Sequence, residues 1–193
     1  MKNLMREIRI GIISTLMLAI IVCGIYPILV WGIAQGLFHD KANGSLIIHD
    51  HKIIGSSLIS QGFTGVQYFH PRPSAAGTGY DPMSSGGSNL GPLSKVLTDT
   101  ILHRVNEYRR ENNIPAHISV PADAVTASAS GLDPHISILN ALLQSPRVAK
   151  ARGLSEEVIL EKIVAHTEDR DLGIFGEPRV NVLALNLDLD RNE

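Results

Sequence analysis

The feature that most constrains this chain is an uncharged, apolar run of 29 residues near its N-terminus, Ile10 to Phe38. About 20 apolar residues in a helix span the hydrocarbon core of a bilayer, so this run can cross a membrane with some tilt or an interfacial extension. A buried helix of a soluble protein rarely stays uncharged over such a length. The apolar region of a cleaved signal peptide is usually only about 7–15 residues long. The run therefore predicts an uncleaved membrane anchor.

Basic residues on either side of the run predict its orientation. Lys2, Arg6 and Arg9 precede it, whereas Lys41 and Lys52 follow it and are offset by two nearby aspartates. Lys and Arg are in excess on the cytoplasmic side of membrane segments, so the N-terminus is expected inside the cell. The predicted division of the chain is a cytoplasmic head at 1–9, a transmembrane helix with an interfacial extension at 10–38, and an extracytoplasmic domain at 39–193.

Small residues within the run predict where another helix could pack. Gly32 and Gly36 form a G-x-x-x-G pattern, which lets two helices approach closely, and Gly24 is a further small residue. The pattern is common by chance, so the packing role stays open at this point. Pro27 predicts a kink or the outer end of the helix. Since the run has no Asp, Glu, Lys, Arg or His, a single such helix offers no path for an ion or a proton.

Charge and cysteine content exclude several classes of protein. The net charge of −2 gives no basic surface for nucleic acid. The only cysteine, Cys23, lies in the apolar run and excludes both an internal disulfide framework and a site with several cysteine ligands. Residues 39–193 have a net charge of −4, which is 14 basic minus 18 acidic residues.

Residues 39–193 predict one α+β domain, with helices covering one face of a small sheet. The pattern predicts strands where apolar residues are short or alternating, and helices where they recur every three or four positions. The predicted elements are a strand pair at 45–49 and 52–54, an ordered loop at about 60–91, a helix from Pro92 to Asn112–Pro115, a strand at 117–120, helices starting at Asp133-Pro134 and at Ser145-Pro146 with the second ending at Gly153, a helix starting at Ser155, and a strand at 183–189.

Catalytic motifs are mostly missing. The sequence has no phosphate-binding P-loop, no H-E-x-x-H zinc helix and no G-x-S-x-G nucleophile elbow. A serine hydrolase would need a nucleophile, a base and an orienting acid to converge. The residues that could supply them are Ser88 or Ser130, His70 or His135, and Asp81 or Asp133. Ser130 and Asp133 equally suit a turn and a helix cap, so a membrane-anchored extracytoplasmic hydrolase is only the alternative.

Two further segments allow more than one interpretation. Ser84–Gly91 joins glycines and hydroxyls, which can form an anion-binding nest of backbone N–H groups, a tight loop against a partner, or a structural turn before the next helix. His49 and His51 could face one side of a strand as metal ligands, but a position in the turn is as easy, and we expect no metal site.

Several long motifs, in order along the whole chain, resemble the C subunit (KdpC) family of the bacterial Kdp potassium-transporting P-type ATPase. They are the membrane segment, Gly55–Ile59, Tyr68–Ala75, Ser85–Pro92, Gly131–Ser137, Arg147–Ala149 and Gly176–Leu183. Two positions depart from the family pattern. Ala129 replaces a usual glycine, which weakens a glycine-dependent nucleotide loop there, and His51 replaces a glycine at the hairpin turn.

The resemblance implies a non-catalytic accessory subunit in the bacterial inner membrane. In that family a channel-like subunit binds potassium, and a separate P-type subunit is phosphorylated and hydrolyses ATP. The C subunit assists assembly and raises the nucleotide affinity of the catalytic subunit. It has no cofactor of its own, since the complex handles ATP and K+. The residues expected to bind a partner or a nucleotide are Arg72, Ser85, Gly86, Gly87, Ser88, Asn89, Ser130, Gly131, Asp133 and His135.

Overall fold

The computed structural model describes residues 2–49 and 51–191. Met1 of the predicted head, and Asn192 and Glu193 of the predicted domain, lie outside the described residues. The chain divides into two compact units, Met1–Ile54 and Gly55–Glu193. The division falls between Ile54 and Gly55, inside the second strand of the chain, Lys52–Ser56.

The first unit is dominated by one long apolar helix. It comprises α1 (Lys2–Ala19), a π-helical segment (Ile20–Ile25) and α2 (Tyr26–Leu37), followed by the short α3 (His39–Ala42), β1 (Leu46–His49) and the start of β2 (Lys52–Ser56). The helical stretch Asn3–Leu37 is long and apolar enough to cross a membrane, by length and composition. The predicted strand pair is confirmed, because β1 and β2 are hydrogen-bonded neighbours.

The π-helical segment accommodates Pro27. At its end, Tyr26 donates its backbone N–H to the carbonyl of Ile21, five residues back instead of four. Such bulges are a recognised cause of bends in long helices, as are prolines. The helix then continues to Leu37, so Pro27 does not mark its outer end.

The second unit confirms the α+β class. Its sheet has three antiparallel strands in the order β3 (His135–Ser137), β5 (Arg179–Asn181), β4 (Thr167–Glu168). Its helices are α4 (Lys95–Asn112), α5 (Ala122–Val125), α6 (Ile138–Arg152), α7 (Glu156–Ala165) and α8 (Val182–Asp190). Val180 of the central strand is fully buried and pairs with Ile136 on one side and Thr167 on the other. The core therefore lies where α6, α7 and α8 meet this sheet.

Local capping signals fix several helix ends, of which those at Ser155, Asn113 and Gly153 lie where the sequence predicted them. Ser94 and Ser155 accept hydrogen bonds from the backbone N–H groups three residues on, which starts α4 and α7. Asn113 and Gly153 adopt the left-handed conformation that ends α4 and α6.

The prediction that a helix starts at Asp133-Pro134 is wrong. Helix α6 begins at Ile138, where the Ser137 side chain caps the N–H of Asn140. Residues His135–Ser137 form β3 because their backbone pairs with β5. Asp133 is instead engaged by Arg72, as described below.

The prediction that a second helix starts at Ser145-Pro146 is also wrong, since Pro146 lies inside α6. Proline has no N–H for the carbonyl four residues back, which belongs to Leu142. The hydroxyl of Ser145 donates to that carbonyl at 2.9 Å. The pair Ser145-Pro146 thus compensates locally for the missing backbone bond, and the helix continues.

Two predicted strands are absent from the described residues. Residues 183–189 form α8, because Val182, Leu185, Asn186 and Leu189 make one buried helical face and Asn181 caps the N–H of Ala184 at 3.0 Å. Residues 117–120 form a loop.

That loop is held by a side chain. The Nη2 of Arg109 donates to the carbonyls of Ala116 and Ile118, each at 3.1 Å. The guanidinium supplies the hydrogen bonds that a neighbouring strand would otherwise supply.

Candidate functional site

Residues 60–91, all of which the structure describes, form no helix and only isolated β-bridges. They are nevertheless packed against the rest of the domain. Phe69 is fully buried in the core cluster, with Phe63 packed against that cluster. The rings of Phe63 and Tyr68 lie 5.2 Å apart between centroids. The prediction of an ordered loop is confirmed.

The part of this loop from Val66 to His70, here called the strap, is held by side-chain amides. Asn186 of α8 accepts the N–H of Phe69 and donates to its carbonyl, both at 2.9 Å. Gln144 of α6 accepts the N–H of His70 at 2.7 Å and donates to its carbonyl at 3.1 Å. An amide group copies the donor and acceptor of a peptide, so these two side chains act as a strand neighbour would.

Two arginines complete the clamp on the strap. Nη1 of Arg147 donates to the carbonyls of Val66 and Tyr68 at 2.6 and 2.9 Å. Nε of Arg152 donates to the carbonyl of Gln67 at 2.9 Å. Burial lowers the pKa of Arg147, but an arginine still keeps its charge at physiological pH. These contacts fix the backbone of the strap at every residue.

A cavity of about 200 Å³ lies beside the strap, lined by His70, Tyr80, Tyr108 and Glu111 among others. Nδ1 of His70 lies 3.2 Å from Oε1 of Glu111, and its Nε2 lies 3.1 Å from the carbonyl of Gly65. Burial, with Arg147 nearby, lowers the pKa of His70. The neutral imidazole is therefore favoured, and both ring nitrogens are already engaged.

Two residues that line the cavity, Tyr108 and Asn140, belong to a network of polar side chains. The Tyr108 hydroxyl donates to Oδ1 of Asn140 at 2.7 Å, and Nδ2 of Asn140 donates to Asp123 at 3.0 Å. Asp123 also accepts the N–H and the hydroxyl of Ser137. Burial, with Asp123 nearby, raises the pKa of the Tyr108 hydroxyl. Each of these groups therefore has a partner within the domain.

Four of the residues predicted from the sequence meet where two loops cross. Ser85 and Ser130 form an antiparallel bridge, and the N–H of Gly86 donates to the carbonyl of Ala129 at 3.0 Å. Gly131 passes so close to the backbone of Asp81 that an added Cβ would lie 2.5 Å from its carbonyl oxygen. The crossing therefore requires a glycine at position 131.

The other predicted residues lie apart from this crossing or on its exposed side. Nη1 of Arg72 pairs with Oδ2 of Asp133 at 3.3 Å. Nε2 of His135 lies 3.3 Å from Glu168 but makes no hydrogen bond there. The remaining three, Gly87, Ser88 and Asn89, are exposed.

The groups proposed for a hydrolase do not assemble in the part of the chain that the structure describes. Neither Ser88 nor Ser130 hydrogen-bonds a histidine there. The Ser130 hydroxyl instead accepts the N–H of Leu132 at 2.9 Å. Among the described residues no group of three His, Cys, Asp or Glu side chains could hold a metal ion, and the side chain of His49 lies outside them.

The anion-nest interpretation of Ser84–Gly91 loses part of its donor set. The N–H of Ser84 donates to the carbonyl of Asp81 at 3.3 Å, and that of Gly86 donates to Ala129. These two amides serve the loop's own fold and do not face a bound anion.

Sequence reasoning missed three buried amide side chains: the clamp residues Gln144 and Asn186, and Asn140, whose Oδ1 accepts a hydrogen bond from Gln144. All three are at most 1% exposed, whereas Asn and Gln are mostly surface residues. The available signal was their position: Asn186 sits on the apolar face of α8, and Asn140 and Gln144 are four residues apart on α6.

Comparisons with known proteins agree over nearly the full length. A family model described as KdpC, K+-transporting ATPase, c chain, matches residues 8–191. The chain is 51% identical over 188 residues to the potassium-transporting ATPase KdpC subunit of Mycobacterium tuberculosis strain H37Rv, covering 97% of this chain and 100% of that protein. It is 48% identical over 189 residues to the KdpC subunit of Koribacter versatilis, covering 98% of this chain and 94% of that protein. It is 52% identical over 184 residues to the KdpC subunit of Nitratidesulfovibrio vulgaris, covering 95% of this chain and 93% of that protein.

Proposed function

Because the chain belongs to the KdpC family of potassium-transporting ATPase subunits, we propose that it is a membrane-anchored accessory subunit without catalytic residues of its own. It assists assembly of an ATP-driven potassium uptake complex and raises the nucleotide affinity of a separate catalytic P-type subunit. A channel-like subunit binds the potassium ion, and this chain needs no cofactor.

The proposal that this chain is not catalytic rests on the contacts that polar residues of the family motifs make. His70 and Arg147 belong to those motifs, and both are taken up by contacts within the chain. The Arg147 guanidinium donates its hydrogen bonds to backbone and side-chain amide oxygens. The lowered pKa of His70 favours its neutral form. Such groups stabilise a surface to be presented to another subunit.

The apolar helix is the proposed anchor and one proposed interface. Positions Gly24, Gly32 and Gly36 are open: within the described chain nothing lies within 4 Å of a Cβ built on any of them. A helix of the channel-like or catalytic subunit can approach the Gly32–Gly36 strip closely, as in other G-x-x-x-G contacts.

The proposed orientation follows from the bases of the head. Arg6 and Arg9 keep the N-terminus cytoplasmic, which puts residues 39–193 outside the bacterial inner membrane. From there the domain cannot touch cytosolic ATP. Its effect on nucleotide affinity is then an effect on a conformational equilibrium of the pump, and it can be no larger than its difference in contact energy between the pump's states. A tenfold rise in affinity corresponds to about 1.4 kcal/mol.

A topology experiment tests the orientation first. Reporter enzymes that are active only outside, or only inside, the cytoplasmic membrane are fused after Asp190. Activity of the outside reporter is expected. A cytosolic C-terminus would contradict the orientation and favour direct nucleotide binding through Ser84–Gly91, where residues 85–91 are exposed.

Co-purification and nucleotide binding test the accessory role. The complex is purified through a tag on the catalytic subunit, with and without this chain, and its affinity for ATP is measured. Tighter ATP binding with the chain present is expected, and equal affinities would contradict the proposal. Gly32→Leu with Gly36→Leu should weaken co-purification, whereas Gly11→Leu, equally open but outside the pattern, serves as the control.

The hydrolase alternative has a direct chemical test. A fluorophosphonate probe reacts with activated serines. We expect no labelling of Ser88 or Ser130, and labelling of either one would favour the hydrolase.

A further inference from the structure

The connection between β4 and β5 ends in an exposed apolar tip, defined here as Asp171–Phe175. Its three large apolar side chains, Leu172, Ile174 and Phe175, are 87%, 72% and 63% exposed. Single exposed apolar residues are ordinary on protein surfaces. Here three lie within four residues of one turn, and clustered exposed apolar side chains are typical of an interaction site.

The tip is held in one conformation. Asp171 and Phe175 exchange two backbone hydrogen bonds of 2.9 Å, and the N–H of Gly173 donates to the carbonyl of Arg170 at 3.0 Å. Just below the tip, Arg170 pairs with Glu177. The tip is therefore closed by its own bridge, Asp171–Phe175, beyond the end of the β4–β5 pairing. A surface that is already ordered loses little conformational entropy on binding.

The backbone of Leu172 is unfavourable for the residue it carries. Its φ is +55°, in the left-handed region that Gly and Asn accept readily and Leu does not. Strained positions of this kind cluster at functional sites. Here the strain sits under the most exposed apolar side chain of the tip, where an Asn or Gly would suit the fold better.

The charges around the tip favour one kind of partner. Residues 168–179 contain four acidic and two basic residues, a net charge of −2. Asp171 and Glu177 are themselves well exposed. Anionic lipid headgroups attract basic segments and repel acidic ones. A membrane surface is thus disfavoured, and a protein pocket with a basic rim is favoured.

We propose that this tip inserts into an apolar pocket with a basic rim on another subunit of the potassium-transporting ATPase. The inference rests on the proposed function, since it requires that the chain assembles with such subunits. Leu172, Ile174 and Phe175 are the anchoring side chains, and the acidic residues beside them face the basic rim. A few well-packed anchor residues supply most of the affinity in a typical interface.

The test compares retention of the full chain in the complex. The chain is co-expressed with the other subunits, the complex is purified through a tag on the catalytic subunit, and loss of the chain is followed after detergent dilution. The triple variant Leu172→Asn, Ile174→Ser, Phe175→Ser should dissociate at least tenfold faster than the unmodified chain. The control is Leu102→Gln on α4, where a leucine is 55% exposed, and its retention should not change.

A single substitution separates binding from folding. Leu172→Asn suits the left-handed backbone, so it should leave the unfolding temperature unchanged or higher while the chain dissociates faster. If it lowers the unfolding temperature and leaves retention intact, the tip is structural and the proposal is overturned.

A photo-crosslinker identifies the partner. A benzophenone amino acid at position 174 should form adducts with a protein subunit of the complex. Adducts with lipid alone, or unchanged retention of the triple variant, would overturn the proposal. If the unmodified chain is not retained with the other subunits at all, the proposed function fails, and that outcome is distinct from a failure of the tip alone.

Discussion

The side-chain amide of Asn186 and the backbone of Phe69 exchange two hydrogen bonds of 2.9 Å across 117 positions of sequence. Both residues are fully buried. Gln144 makes the same exchange with His70, the next residue of the strap. Two successive peptide units are therefore paired by side chains from α8 and α6, where a sheet would use a neighbouring strand.

Removing the Asn186 amide should destabilise the domain strongly. In Asn186→Ala the N–H and the carbonyl of Phe69 both lose their partner in a buried site, where each unsatisfied group costs about 1–3 kcal/mol. We expect a loss of about 2–4 kcal/mol in the free energy of unfolding. The measurement is urea unfolding of the full chain in detergent micelles. Asn106→Ala, on the exposed face of α4, should change that value by less than about 0.5 kcal/mol.

Gly131→Ala should destabilise the loop crossing through overlap alone. The added Cβ would lie 2.5 Å from the carbonyl oxygen of Asp81, and overpacking of this kind costs about 1–3 kcal/mol. Gly86→Ala is the matched control, because nothing lies within 4 Å of its Cβ position. Thermal unfolding of both variants measures the difference. Equal unfolding temperatures would mean that the crossing can open without cost.

Arg147→Lys should not preserve the clamp. The guanidinium donates from three nitrogens at once, to the carbonyls of Val66 and Tyr68 and to the side chains of Asn112 and Gln144. A lysine ammonium cannot match that planar geometry. We expect a loss of about 3 kcal/mol, since several acceptors in a partly buried site lose their donor.

The control for that change is Arg110→Lys, at an exposed position of α4. Urea unfolding should find it nearly neutral. A lysine at position 147 that behaved like the one at 110 would show that charge, and not shape, holds the strap.

His70 should make the domain less stable in acid. Burial lowers the pKa of His70 below its usual 6.5, so the unfolded chain takes up a proton at a higher pH than the folded one does. The stability that the neutral imidazole contributes is complete above pH 6.5, and it is lost as the pH falls from there through the lowered folded pKa. His70→Gln should reduce this loss, as measured by unfolding temperatures between pH 7.5 and pH 5. His117→Gln, on an exposed loop, should keep the unmodified slope.

Local signals predicted much of the fold. Ser94, Ser155 and Gly153 start or end helices through contacts within a few residues, so they can be seen in the sequence. Helix α8 could not be distinguished in this way. Leucines at every second position fit an alternating strand, and only the burial of Asn186 between Leu185 and Leu189 reveals the helical face.

Long-range contacts decided what the sequence could not predict. Asp133-Pro134 resembles a helix start, but pairing between His135–Ser137 and β5 delays the helix to Ile138. The motifs did point to residues that meet, such as Ser85 with Ser130. The clamp stayed hidden because nothing in a helical pattern tells an inward-facing Gln144 from a surface glutamine.

The partnership of Phe69 and Asn186 also sets an order of events during synthesis. A ribosome adds about 5–20 residues per second, so Asn186 follows Phe69 by roughly 6–23 s. Until then the buried phenylalanine and its peptide have no permanent partner, and closing so long a loop is slow. Phe69 must therefore wait for α8, although the α6 side chains that hold the rest of the strap are made earlier, and during this interval its ring is open to proteases and chaperones.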